Sequence, residues 1–164
     1  AEAWQLALEN EHKPSILALT RQGLPMLRKS AQENLTAKGG YVLAGNAQKR
    51  QVTIIATGSE VSMAMDARAK LAEEGIEAAV VSMPCCELFD AQPEPYRQEV
   101  LGQAPRVAVE AAAKYGWERY VGDKGDVIGM DGFGASGPAA ELYKYFGITV
   151  EEIVDAAKNC IKAK

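Results

Sequence analysis

The sequence is poor in the residues that most often bind metals or form catalytic triads. It has one histidine, His12, and three cysteines, Cys85, Cys86 and Cys160, among 164 residues. One histidine cannot complete a usual zinc ligand set, and no Ser/His/Asp constellation can be assembled around it. The cysteines are sparse, odd in number and without a C-x-x-C pair, which favours a reducing compartment. We therefore expect a cytoplasmic chain with no metal site, and a surface position for His12.

Long apolar runs and an excess of positive charge are also missing. No apolar run is long enough to cross a bilayer, and the amphipathic, mildly acidic start at Ala1–Glu11 is unlike a signal peptide. The net charge is −4 at pH 7, which argues against a nucleic-acid partner and against binding to an acidic membrane. Because the chain opens in mid-pattern with alanine, we expect it to be a piece of a longer protein.

The strongest positive pattern is one βαβ unit. Val52–Ala56 is a run of aliphatic and β-branched residues, which is typical of a buried parallel strand. The turn Thr57–Glu60 has capping-box spacing between its first and last residues, with Ser59 as a second candidate N-cap, so it predicts the start of a helix. Gly75 is placed to end that helix, and Ala78–Ser82 is predicted to be the next strand. The crossover should be right-handed.

The rest of the chain continues this alternation, so the sequence predicts an α/β domain with a mainly parallel sheet. Met26–Lys38 is polar and irregular, as linkers are. Asn46–Gln51 is a polar turn, and the strand before it is expected to form an antiparallel edge hairpin with Val52–Ala56. Further strands are predicted at Ser15–Thr20, Tyr41–Leu43, Arg106–Glu110 and Val127–Met130, and further helices at Ala3–Glu11, Leu88–Ala91, Pro95–Leu101, Ala111–Val121, Pro138–Phe146 and Val150–Lys162.

Two glycine-containing turns are candidates for ligand contact. Gly132–Gly137 matches G-x-G-x-x-G. The helix after it is followed by another helix and not by a strand with an acidic residue, so close packing of strand on helix is favoured over a dinucleotide site. Thr57–Glu60 could hold an anion at a helix N-terminus. It lacks the Walker lysine, and Glu60 would repel a phosphate, so a helix cap is the favoured interpretation.

Arg21 lies in a loop just beyond a predicted strand. A guanidinium is suited to bidentate phosphate binding, although spacing alone favours an exposed structural arginine. The carboxylates are many but scattered, and no acid/base pair stands out. The residues taken alone therefore predict an α/β domain without a visible catalytic set.

Four stretches taken together resemble the C-terminal part of transketolases. Each stretch is a weak signal alone, but their order and spacing match the family over nearly the whole chain. Val80–Pro84 and Phe146–Thr149 fit the same family. The four stretches are Leu19–Pro25 (LTRQGLP), Lys38–Leu43 (KGGYVL), Ile55–Val61 (IATGSEV) and Asp131–Gly137 (DGFGASG).

The resemblance implies a three-layer domain at residues 37–164, with about five strands, one antiparallel edge strand and helices on both faces. Residues 1–36 would be the tail of the preceding pyrimidine-binding domain and a linker. Transketolases use thiamine diphosphate and a divalent metal (Mg²⁺ or Ca²⁺) to move a two-carbon ketol unit between sugar phosphates in the pentose phosphate pathway, and the cofactor carries the carbanion chemistry. They work as homodimers, so the remaining transketolase domains and a second subunit are the implied partners.

One functional residue carries over from the family: Arg21 matches the arginine that binds the phosphate of the substrate. The family often has asparagine where this chain has Gly23, and serine where it has Thr20. Neither difference touches the guanidinium, and Gly23 is expected to loosen the loop. The family's cofactor, metal and catalytic residues lie upstream, and we expect this chain alone to be inactive. Two alternatives stay open: a regulatory module that binds a small anion at Thr57–Glu60 or Gly132–Gly137, and a piece of a dihydroxyacetone synthase or a deoxyxylulose phosphate synthase.

Overall fold

The structure, a computed structural model, describes residues 1–30 and 32–163. Strands and helices alternate along most of it. The strands are β1 (Tyr41–Ala44), β2 (Val52–Ala56), β3 (Ala78–Ser82), β4 (Arg106–Ala113) and β5 (Asp126–Met130). The helices are α1 (Glu2–Glu9), α2 (Glu60–Glu73), α3 (Cys86–Asp90), α4 (Glu94–Leu101), α5 (Glu118–Val121), α6 (Ala139–Tyr145) and α7 (Val150–Lys162), with a short 3-10 helix at Leu35–Lys38.

The five strands form one sheet in the order β1-β3-β2-β4-β5. All neighbours are parallel except β1 and β3, which are antiparallel. Successive side chains of a strand point to opposite faces, and in β2 the side chain of Ile54 packs with α2 and α7 while that of Ile55 packs with α3, α4 and α5. The expected three-layer domain, with one antiparallel edge strand and helices on both faces, is confirmed.

Helix α7 begins and ends where its sequence predicts. The Oγ1 of Thr149 accepts a hydrogen bond of 3.2 Å from the backbone N–H of Glu152, which satisfies one of the unpaired donors of the first turn. The helix then buries one face against α2 and the sheet through Ile153, Val154 and Ala157. Apolar burial of this kind contributes about 1.5–3 kcal/mol for each large side chain.

Helix α2 ends at a glycine, as predicted. Glu74 is its C-cap, and Gly75 follows with φ at 75°. The N–H of Gly75 donates to Ala72 and the N–H of Ile76 donates to Leu71, which is the double bond of a Schellman motif. Glycine adopts this left-handed conformation without the strain of a Cβ.

The predicted edge hairpin is wrong. β1 pairs with β3, where Tyr41 lies opposite Ser82, and not with β2. Both sides of β2 are occupied by parallel partners, β3 through Ile54–Val80 and β4 through Ile55–Ala108. The strand before the Asn46–Gln51 turn therefore cannot reach β2, and it pairs with the outer edge of β3.

The strand predicted at Ser15–Thr20 is absent from the structure. The segment has no sheet partner, and the side chains of Ile16 and Leu19 are 93% and 72% exposed. A lone strand cannot pair its backbone groups, so a strand-like sequence without a neighbouring strand stays irregular.

The helix predicted at Ala111–Val121 is also wrong over most of its length. Ala111, Ala112 and Ala113 extend β4, where Ala113 pairs with Met130 of β5, and the helix is limited to α5. Alanine favours helices intrinsically, but hydrogen bonds to a neighbouring strand override that weak preference.

We predict that Thr149→Ala will lower the free energy of unfolding by about 1 kcal/mol, because the first turn of α7 loses its side-chain acceptor. Urea unfolding followed by circular dichroism measures the change. Thr149→Ser, which keeps the hydroxyl, should retain most of the stability, and Ser136→Ala in the exposed loop before α6 is the control for loss of a hydroxyl. Equal losses in the Ala and Ser variants would show that the cap contributes nothing.

Candidate functional site

The loop that contains Arg21 is exposed at the surface of the N-terminal segment. The side chain of Thr20 bonds to the side chain of Gln22, and the N–H of Gln22 donates to the Oγ1 of Thr20 at 3.3 Å. These bonds curl the loop around Arg21. Across residues 1–30 and 32–163 no carboxylate or carbonyl accepts a bond from its guanidinium. Its donors are therefore free to bind an external anion.

A cleft of about 190 Å³ lies beside the residues that follow this loop. Leu24 and Arg28 form its N-terminal wall, and Tyr41, Ser59 and Ser82 lie across from them. Ser82 ends β3 and Ser59 follows β2, so the cleft is at the carboxyl ends of these parallel strands. That edge of an open α/β sheet is where ligands usually bind.

The N-terminal segment is attached to this edge by the carboxylate of Glu2. Glu2 forms an ion pair with Arg28 and accepts bonds from the N–H and the Oγ1 of Thr36 at 3.3 and 2.7 Å. The guanidinium of Arg28 in turn lies 5.6 Å from the ring centre of Tyr41. The two partners of Glu2 are 26 and 34 residues away from it in the chain, so no local pattern in the sequence could have revealed them.

The capping box predicted at Thr57–Glu60 does not form. Ser59 is the N-cap of α2, but its side chain accepts no bond from the helix. Its Oγ instead donates to Glu60 Oε1 at 2.6 Å, and Tyr143 of α6 donates to the same oxygen. The carboxylate of Glu60 is only 4% exposed. Burial, followed by the bond to Glu60, raises the pKa of the Tyr143 hydroxyl.

An anion is poorly accommodated at the start of α2. The buried carboxylate of Glu60 already brings negative charge to this end of the helix, and it uses the hydroxyls of Ser59 and Tyr143. A second anion would meet like charge in a desolvated place. The geometry therefore argues against the small-anion alternative at Thr57–Glu60.

The glycine-rich loop Gly132–Gly137 is exposed between β5 and α6. The prediction that its glycines allow close packing is wrong, because a Cβ at Gly132 would meet nothing within 4 Å and one at Gly137 would make ordinary contact with Leu142. Phe133 is fully exposed. Since α7 follows α6 without an intervening strand, the loop also lacks the second strand of a dinucleotide site.

The histidine and the cysteines offer no reactive centre. His12 is exposed, as expected. Cys85 and Cys86 lie at the start of α3, and Cys160 is buried on α7. Burial raises the pKa of all three thiols, so they are protonated near pH 7 and are weak nucleophiles.

The described side chains of this chain do not fit a site for thiamine diphosphate and a metal ion. Within the described part of the chain, no three His, Cys, Asp or Glu side chains are close enough together to hold a metal ion. A diphosphate bound through a divalent cation needs such oxygen ligands.

Within residues 1–30 and 32–163, the structure contains no helix that is long and apolar enough to cross a membrane.

Comparison with known proteins gives one consistent family. The family model described as the transketolase-like TK C-terminal domain matches residues 39–149. A curated transketolase from Sinorhizobium medicae is 52% identical over 164 residues, which cover 99% of this chain and 24% of that protein. The chain thus spans about a quarter of the length of the curated relatives it matches.

Solved structures agree with the sequence relatives. A transketolase from Leishmania mexicana has a TM-score of 0.90 and 45% identity, covering 99% of this chain and 23% of its own. A Pichia stipitis transketolase in complex with sedoheptulose-7-phosphate has a TM-score of 0.88 and 41% identity, covering 98% of this chain and 23% of its own. The fold, the motifs and the similarity over almost all of its length together show that this chain belongs to the transketolase family.

Proposed function

We propose that this chain is part of a transketolase that transfers a two-carbon ketol unit between sugar phosphates in the pentose phosphate pathway. The observation that carries the proposal is the identity of about one half with curated transketolases along the whole chain. The thiamine diphosphate and the divalent metal (Mg²⁺ or Ca²⁺) would be held by parts of the parent protein outside this chain. When bound, the cofactor supplies the carbanion stabilisation that this chemistry needs.

Residues 1–36 would belong to the preceding pyrimidine-binding domain and its linker, and residues 37–164 would form the C-terminal domain. The unpaired segment Ser15–Thr20 supports this division, because its exposed Ile16 and Leu19 have the composition of a strand whose sheet lies elsewhere. The domain at residues 37–164 has its own two-sided core, which is what a separately folding unit requires.

The C-terminal domain would support the packing of subunits in a cytoplasmic homodimer. Large apolar side chains exposed on both parts of the chain favour a covered surface in the parent protein. Met26 is 84% exposed, Tyr115 and Phe133 are exposed shortly after β4 and β5, and Tyr145 is exposed at the end of α6.

Arg21 would bind the phosphate of the sugar substrate and so fix its position. Its guanidinium is exposed and has no internal acceptor in the described residues. A guanidinium offers parallel donors to two phosphate oxygens, which gives both attraction and orientation. The complex of the Pichia stipitis relative with sedoheptulose-7-phosphate supports a phosphorylated sugar as the substrate class.

The related thiamine enzymes are the second candidates. Dihydroxyacetone synthases and deoxyxylulose phosphate synthases would share this fold. The Arg-Gln-Gly-Leu-Pro stretch that begins at Arg21 and the names of the curated relatives that the chain matches both favour a transketolase.

We predict that Arg21→Gln in the full-length parent protein will lower kcat/KM for a phosphorylated ketose about ten- to a hundredfold, the cost of losing charge-assisted hydrogen bonds. Steady-state kinetics with a phosphorylated and an unphosphorylated donor measures the effect. The unphosphorylated donor should be affected little. Lys29→Gln, which removes an exposed cation from the same segment, is the matched control. Equal losses with both donors would refute phosphate binding by Arg21.

We also predict that this chain alone has no ketol-transfer activity and no tight affinity for thiamine diphosphate, because its described side chains form no metal-ligand cluster. Calorimetric titration of the chain with thiamine diphosphate and Mg²⁺ measures the affinity. Saturable binding in the micromolar range would overturn this prediction, whereas the parent protein should bind both under the same conditions.

A further inference from the structure

A second cavity lies at the opposite end of the sheet from the Arg21 loop and the small cleft. It has a volume of about 360 Å³ and opens between α3, α4, α5 and the first residue of β4. Thr53 of β2 pairs with Arg106 of β4, so the cavity is at the amino end of these parallel strands. We call it the arginine pocket, after three of its lining residues, Arg97, Arg106 and Arg119.

Arg106 is held rigidly without a counter-ion. Its Nη1 donates to the carbonyl of Tyr120 at 2.7 Å and its Nη2 donates to the carbonyl of Gly102 at 2.8 Å. Its Nε has no partner among the described residues, and within them no carboxylate is at ion-pair distance. Desolvation lowers the pKa of Arg106, but an arginine stays protonated at neutral pH. Two carbonyls accept bonds from two of its five N–H donors and leave its charge uncompensated.

Arg50 brings a second guanidinium to the same corner. It is 9% exposed, and it donates to the carbonyls of Val100 and Glu99 at 2.8 and 2.5 Å. Its side chain packs on Gly102, which has φ at 68° and no room for a Cβ. Burial, and then repulsion by Arg106, lowers the pKa of Arg50. Arg50 thus adds positive charge behind Gly102 in the wall of the pocket, whose lining holds three arginines and the two carboxylates of Asp90 and Glu94.

The two other arginines of the pocket can be redirected. Arg97 pairs with Glu94 one turn away, and Arg119 pairs with Asp90 at 3.1 Å. The side chains of Arg97 and Arg119 are 35% and 58% exposed, and exposed ion pairs of this kind contribute only about 0–1 kcal/mol. A dianion in the pocket would compete with Glu94 and Asp90 for these two guanidiniums, and breaking the two ion pairs costs little.

From this arrangement we propose that the arginine pocket binds the phosphate group of a small phosphorylated metabolite. Arg106 provides a fixed charge, Arg97 and Arg119 close on the anion from the rim, and the amides of Gln98 and Gln103 line the same space. A phosphate dianion has enough charge and acceptor oxygens for several guanidiniums, whereas a carboxylate offers one charge and two oxygens. The volume leaves room for the rest of a small molecule beside the phosphate.

Titration of the full chain with inorganic phosphate tests this proposal. The titration is done in the Arg21→Gln background, so that the proposed substrate-phosphate residue cannot contribute, and its failure leaves the proposed function untouched. At constant ionic strength, one phosphate per chain should bind saturably by ³¹P NMR, and acetate should bind at least tenfold more weakly, as expected for one charge against two. Absence of saturation, or equal affinity for acetate, would overturn the proposal.

Variants assign the binding to the pocket. Arg97→Gln combined with Arg119→Gln should weaken phosphate binding tenfold or more, the loss expected for two charge-assisted contacts. Lys70→Gln combined with Lys158→Gln is the matched control, because it also removes two cations that form surface ion pairs, with Glu151 and Glu74, but on α2 and α7 away from the pocket. An equal loss in the control would mean that only general charge is sensed, and that would contradict the site.

If the double variant folds poorly, an NMR titration of the chain without pocket substitutions tests the same site. Phosphate should shift the ¹H–¹⁵N resonances of Gly102, Gln103 and Tyr120, whose backbones surround Arg106. The amides of Gly58 and Ser59 at the opposite end of the sheet should be unaffected. Shifts confined to that other end would refute the assignment.

Discussion

The double-sided burial of β2 is the constraint on which the rest of the structure depends. Every residue of Val52–Ala56 is buried, and the strand pairs with β3 on one side and β4 on the other. Its backbone groups can be satisfied only by those neighbours, because no water reaches them. Parallel neighbours require crossover helices on the faces of the sheet, so the central strand determines the three-layer arrangement. It also forces β1 to the outer edge of β3, since no edge of β2 is free.

The same strand determines where functional groups can be placed. Its carboxyl end leads into Thr57–Glu60, and its amino end lies beside Arg106. At the carboxyl end, the buried Glu60 is held by the hydroxyls of Ser59 and Tyr143 and joins α2 to α6. This internal bond replaces the helix cap that the local sequence favours. Glu60 fits the capping pattern in the sequence, but its side chain bonds to α6 instead. Because its carboxylate occupies the start of α2, the helix N-terminus alone does not predict an anion site.

The parts of the fold that depend on residues close together in the sequence could be predicted. The parts that depend on pairing between strands distant in the sequence could not. The strands of the βαβ unit, the end of α2 at Gly75 and the cap at Thr149 were predicted correctly because each depends on neighbours within a few residues. The partner of β1 and the extension of β4 through Ala111–Ala113 depend on strands that are distant in the chain, and the predictions for both were wrong. For the candidate site, the sequence indicated Arg21 only through resemblance to a family. The bonds of Glu2 to Arg28 and Thr36, and of Glu60 to Tyr143, join residues too far apart for any local pattern.

The buried charged side chains at the two ends of β2 are stabilised by different kinds of hydrogen-bond partner. A buried ion needs hydrogen bonds to replace its lost hydration. Hydroxyls supply them to Glu60, and backbone carbonyls supply them to Arg50 and Arg106. Neither set of partners carries an opposite formal charge, so the hydrogen bonds do not neutralise either buried group. An anion at the start of α2 would therefore meet the carboxylate of Glu60, whereas one in the proposed arginine pocket would meet the guanidinium of Arg106.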